Sequence, residues 1–147
     1  MKRTLQFLIG LVTIGLFTVS CSKEDMNDKN IEGKWQSTKI IYEYYEDGKL
    51  TEEKSETCID WYYCFNFKSD GTGQEIYYER GESVTYQMTW VTMGDKLMLT
   101  IIDSQGESHP GTFDIIEIKS NSMILSSVWE DGGGLEKEVE TIHFKKI

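Results

Sequence analysis

The sequence predicts an all-β fold, an up-and-down antiparallel β-barrel of about eight strands. Three observations carry that prediction. From Trp35 onward, apolar and polar residues alternate with period two in runs rich in aromatic and β-branched types. Gly-, Asp-, Asn- and Ser-containing turns interrupt these runs at roughly eight- to twelve-residue spacing. Beyond the first apolar stretch, no segment keeps a helical period.

The elements follow in order. Ile40 to Tyr45 is β-branched and aromatic and leads into Glu46-Asp47-Gly48-Lys49, where Asp-Gly favours a tight hairpin. Lys49 to Lys54 is a candidate extra strand. Trp61 to Lys68 sets Trp61, Tyr63, Phe65 and Phe67 on one face, and Ser69 to Gly73 turns the chain. Gln74 to Glu79 closes at Arg80-Gly81. Ser83 to Met93 places Val84, Tyr86, Met88 and Trp90 on one face and Thr85, Gln87 and Thr89 on the other. Gly94-Asp95 turns into Lys96 to Asp103, with Leu97, Leu99 and Ile101 in register. Gln105 to Gly111 reads as a loop because it holds the only proline. Thr112 to Lys119, Met123 to Trp129 and Lys137 to Lys145 complete the set. Short connections favour antiparallel neighbours, and closing such a meander removes exposed edges. A two-sheet sandwich would show the same strands, and the pattern alone leaves both arrangements open.

The first residues read as an address and not as fold. Met1-Lys2-Arg3 is a short positive region, and Leu5 to Val19 is apolar but shorter than the roughly 20 residues a spanning helix needs. Residues 1–20 are therefore expected to be a signal peptide. Phe17-Thr18-Val19-Ser20-Cys21 resembles the lipobox of bacterial lipoproteins, which implies that Cys21 is the site of lipid attachment. More than one acyl chain gives stable anchoring, at about 0.8 kcal/mol per buried CH₂. Lys23-Glu24-Asp25 resembles the export signal of Bacteroidota lipoproteins, which implies an outer-membrane protein facing the cell exterior. Residues 21–30 then form a lipidated N-terminus and polar tether, and residues 31–147 the folded domain.

Charge narrows the partners. The chain has 15 Lys and Arg against 25 Asp and Glu, a net charge of −10. Nucleic acid needs clustered cations, so it is not an expected partner. An acidic surface is also repelled by anionic lipid, which leaves the tether as the attachment to the membrane.

Ile31-Glu32-Gly33-Lys34-Trp35 resembles the opening of a lipocalin-type barrel, in which Gly-x-Trp starts the first strand. Further along come Phe65-x-Phe67-Lys68-x-Asp70-Gly71, then Trp90 followed by Gly94-Asp95-Lys96-Leu97-x-Leu99. Phe113-x-Ile115-x-x-Ile118 and Ile142-x-Phe144-Lys145-Lys146 close the series. In this order they are similar to the lipocalin-like lipoproteins of Bacteroidota, over residues 31 to 147. The resemblance implies structural roles for Gly33 and Trp35, with the indole closing the barrel base. Lipocalins proper cover that indole with a C-terminal arginine, which is absent here; Lys145 or Lys146 is placed to cover it instead.

Candidate chemistry is sparse. Cys58 and Cys64 would be about 20 Å apart in one extended strand, so a disulfide requires Ile59-Asp60 to fold back; the spacing leaves both states open. His109 and His143 carry no metal-ligand spacing, so no metal site and no cofactor are expected. Glu43, Glu46, Asp47, Glu52, Glu53, Glu56 and Asp60 cluster around the first hairpin, more simply as a solvated acidic face than as a calcium site. No nucleophile motif is present, and the expected function is non-enzymatic. It is binding of a small, partly apolar ligand by Phe65, Phe67, Tyr86, Met88, Trp90, Leu97 and Leu99 inside the barrel, with Arg80 left in a solvated turn. The alternative is a filled core. The protein would then be an interaction module whose outward aromatics, among Tyr44-Tyr45, Tyr62-Tyr63 and Tyr77-Tyr78, meet a surface protein or glycan.

Overall fold

The structure, a computed structural model, describes residues 31–147. The expected signal peptide, Cys21 and the tether lie outside the described residues. Nine strands follow one another: β1 (Gly33–Glu46), β2 (Lys49–Thr57), β3 (Trp61–Phe67), β4 (Thr72–Glu79), β5 (Glu82–Met93), β6 (Lys96–Ile102), β7 (Ser108–Ile118), β8 (Ser122–Glu130) and β9 (Glu136–Lys146). From β3 to β9 each strand pairs antiparallel with the next. β1 closes the ring by pairing with β9 along most of its length and with β3 through Gly33 to Gln36. The result is a closed antiparallel barrel of 8 strands, β1 and β3 to β9.

The candidate extra strand is β2, and it runs on to Thr57. It lies along the second half of β1, from Glu46 opposite Lys49 to Lys39 opposite Thr57. All of β2 is exposed, so this hairpin is an extension of the wall that carries the expected acidic face. Its turn works as the sequence suggests: Asp47 and Gly48 have φ of 48° and 72°, the pair of positive values a two-residue hairpin needs.

The segment from Gln105 to Gly111, expected as a loop, is strand from Ser108 on, with Pro110 opposite Thr100. The physical reason lies on the other side of β7. That strand meets β8 only from Asp114 to Ile118. Over Ser108 to Phe113 its second edge has no ladder, and a proline is tolerated on such an edge.

The core occupies the end of the barrel where the chain enters and leaves. Trp35, Ile40, Phe65, Phe67, Met88, Trp90, Leu97, Leu99, Ile115, Met123, Leu125, Ile142 and Phe144 form one cluster. Full burial of each large side chain contributes about 1.5–3 kcal/mol. Trp35 is wholly buried, and its indole N–H donates to the Ile31 carbonyl at 2.7 Å. The Lys146 ammonium lies 5.0 Å from the Trp35 ring centroid, in the place expected for Lys145 or Lys146. Gly33 has φ of 115°, and a Cβ there would come 2.7 Å from Lys146 Cε, so both backbone and packing require glycine.

The open end of the barrel

Along each strand the inner-face residues change character on the way from the closed end to the open one. On β9 they read Phe144, Ile142, Glu140, Glu138; on β8, Met123, Leu125, Ser127, Trp129. β4 gives Gly73, Glu75, Tyr77, Glu79, opposite Phe67, Phe65, Tyr63 and Trp61 of β3. Apolar packing therefore fills the lower half. The upper half is a cup of tyrosines, tryptophans, serine and glutamates.

The residues expected to line a ligand are distributed accordingly. Phe65, Phe67, Met88, Trp90, Leu97 and Leu99 are all buried and pack in the filled half. Phe67 and Trp90 meet edge to face at 5.3 Å, and the Trp90 N–H donates to the carbonyls of Lys68 and Thr72, each at 3.0 Å. Those bonds tie Trp90 to the closed end. Tyr86 alone of the set is half-buried, opposite Glu75, at the base of the cup.

The cup opens because two seams part. β3 leaves β1 after the Gln36–Cys64 pair, where a bulge follows Ser37. The fully buried Ser37 hydroxyl accepts the Tyr63 N–H at 2.9 Å, replacing the lost ladder bond. β7 and β8 part above Asp114 and Ser126. The rim thus consists of two half-sheets, β2-β1-β9-β8 and β3 to β7.

Among the described residues, recesses lie on the rim. One of about 430 Å³ is lined by Tyr77, Glu79, Arg80, Glu82 and Val84. A second, about 440 Å³, is lined by Ser127, Trp129, Glu138 and Glu140. The third, about 280 Å³, runs between Tyr44, Tyr45, Glu46 and Thr51 on one side and Trp129, Glu136, Lys137 and Glu138 on the other. Arg80, expected to stand apart in its turn, is exposed but lines the first recess.

The cup is electrostatically one-sided. Burial pushes the Glu75 carboxyl above the usual carboxylate range. Burial does the same to Glu140, reinforced by Glu138 and opposed by the Ser127 hydroxyl, which donates to Glu140 at 3.4 Å. Tyr42 and Tyr63 are each pushed up to about 12, first by burial and then by the charge of Glu140. Both are phenols and hydrogen-bond donors at neutral pH.

Cys58 and Cys64 are free thiols. Cys58 joins the core, whereas Cys64 alternates with Phe65 onto the outer face, near Lys34 and Lys145. Among the described residues, the donors brought within 4.8 Å of one another in a metal-like group are Asp103, Glu107 and His109, not the acids of the first hairpin. That group is accounted for by the β6–β7 turn. Asp103 accepts the backbone N–H groups of Gln105 and Glu107, each at 2.8 Å, and pairs with His109 at 2.9 Å.

Sequence reasoning missed Glu75, Glu138 and Glu140. The available signal was that these acids interrupt the apolar side of an otherwise regular alternation.

A family model described as a lipocalin-like domain matches residues 31–125. The crystal structure of a lipocalin-like protein from Bacteroides uniformis is 21% identical, with a TM-score of 0.52 over 80% of this chain and 99% of that one. Apocrustacyanin C2 is 13% identical, with a TM-score of 0.52 over 82% of this chain and 63% of that one. These likenesses concern the fold. No curated protein matches the sequence.

Proposed function

Because the chain belongs to the lipocalin-like domain family, we propose that the open end of its barrel binds a small, partly apolar molecule without transforming it. The observation that carries this reading is the division of the barrel interior. Its lower half is packed, and above it stand recesses of about 430 and 440 Å³ with aromatic and polar walls. That is within the size range of small-molecule sites, and the mix of apolar walls with a few polar groups is their usual form. On this proposal the ligand rests on Tyr86 and the tyrosines above it, and the packed residues beneath form the floor.

We further propose that the domain is carried on the outer membrane by lipid on Cys21 and faces the cell exterior. Val19-Ser20-Cys21 and Lys23-Glu24-Asp25 support this. The test of the binding reading is native mass spectrometry of the protein taken from its own cell envelope. A retained small-molecule mass, lost on denaturation, is the expected result. A bare protein mass under all gentle conditions would overturn it.

One observation favours a second reading. Tyr62 and Tyr78 stack on the outer face, with centroids 4.7 Å apart and planes at 15°. Such a platform suits a sugar ring or a partner's side chain, and it would serve a filled-core interaction module whose barrel takes up no ligand.

A further inference from the structure

We infer that the recess on β8 and β9 selects a cationic ligand, an amine carried on a small apolar or aromatic body. The inference rests on the ligand-binding reading above and names the class of molecule. Ser127, Trp129, Glu138 and Glu140 line a space of about 440 Å³, with two carboxylates and no basic group. Glu75 stands on β4 across the cup, and Tyr63 feels the charges of both Glu75 and Glu140. The ion pairs formed among the described residues use other acids: Glu52, Asp103, Asp114 and Glu117. Glu75 and Glu140 are thus half-buried carboxylates without a cation.

Burying a carboxylate without a cationic partner costs stability, and at Glu140 the Ser127 hydroxyl offsets only part of that cost. A bound ammonium supplies the missing partner. It would meet Glu140 in a partly desolvated site, where attraction is stronger than in water. Trp129 offers its ring to the apolar body. An anion in this recess would face Glu138 and Glu140, and a neutral molecule would leave both carboxylates desolvated and unpaired; either penalty discriminates in favour of amines. The basic groups of the rim stand elsewhere. Arg80 lies with Glu79 and Glu82 in the first recess, His109 is paired with Asp103, and Lys137, which lines the neighbouring third recess with Trp129 and Glu138, is turned over the Tyr45 ring.

The test uses three probes that share an indole: tryptamine, the neutral tryptophol and anionic indole-3-propionate. Each competes on the purified protein against the uncharged fluorescent dye N-phenyl-1-naphthylamine. Tryptamine is expected to displace the dye at concentrations at least about tenfold below tryptophol, with indole-3-propionate weaker than both. In Glu140→Gln the advantage of tryptamine over tryptophol, with both measured against the dye affinity of that variant, should shrink to about twofold. Melting curves confirm that the variant is folded. If the dye binds but the probes compete equally, or the anion wins, or Glu140→Gln keeps the full preference, the cation inference falls and the binding reading stands. If neither dye nor any probe binds, both fall.

Discussion

The Lys146 ammonium sits 5.0 Å from the centroid of the Trp35 ring, so the end of the chain caps the residue that opens its first strand. Beneath that cap the indole is fully buried and bonded to Ile31. Trp35→Ala is expected to cost about 3–5 kcal/mol, and Lys146→Met about 0.5–1 kcal/mol. Denaturant melts of both variants check this. A Trp35→Ala protein with an unchanged midpoint would show that the closed end does not hold the barrel together.

Trp90 is anchored to the closed end by two carbonyls and the Phe67 ring. Trp90→Ala should therefore destabilise the protein by about 3–5 kcal/mol through cavity formation. At a temperature where the variant is still folded, it should retain dye binding at the rim. Loss of the dye with little loss of stability would move the ligand down into the packed half.

Glu75 gives a pH signature. Burial raises its folded-state pKa above the unfolded one, so the folded form holds the proton to higher pH. The stabilising contribution is complete below the ordinary carboxylate value and is lost as pH rises through the raised value. At pH 7 the wild type bears a cost, of burying the charge or of holding the proton, that Glu75→Gln lacks. The variant should melt a few degrees higher at pH 7, and the difference should shrink as pH falls into the ordinary carboxylate range. Thermal melts across that range check it; equal melting at pH 7 would mean that the carboxylate is well solvated.

Cys58 and Cys64 are buried, and burial pushes both thiols up. Both effects suppress the reactive thiolate. Neither thiol is expected to react with iodoacetamide in the folded protein, and both should react in urea, with or without prior reduction. Labelling in urea only after a reductant would reveal a disulfide.

Cys21→Ala tests the anchor directly. The unlipidated variant should leave the membrane fraction for the soluble one, with its barrel melt unchanged. Continued partition into detergent would remove Cys21 as the attachment point.

The period-two alternation and the turn residues were enough to predict the antiparallel neighbours from β3 to β9, because short turns leave them as the economical pairing; the closure of β1 against both β3 and β9 was decided only in three dimensions. Gly33 and Trp35 were legible for a similar reason: a tight backbone approach and a large buried ring leave few alternative residues. The inner face was also readable, and Phe65, Phe67, Met88, Trp90, Leu97 and Leu99 all lie on it. How far up that face the packing reaches was decided only in three dimensions. Period two tells inside from outside but carries no coordinate along the barrel axis. That coordinate depends on where strands pair and part: at the bulge after Ser37, at Pro110 on its open edge, and above Asp114 on β7. Those partings are long-range, and they raise Glu75, Glu138 and Glu140 from apparent interruptions of an apolar pattern to the walls of a cup.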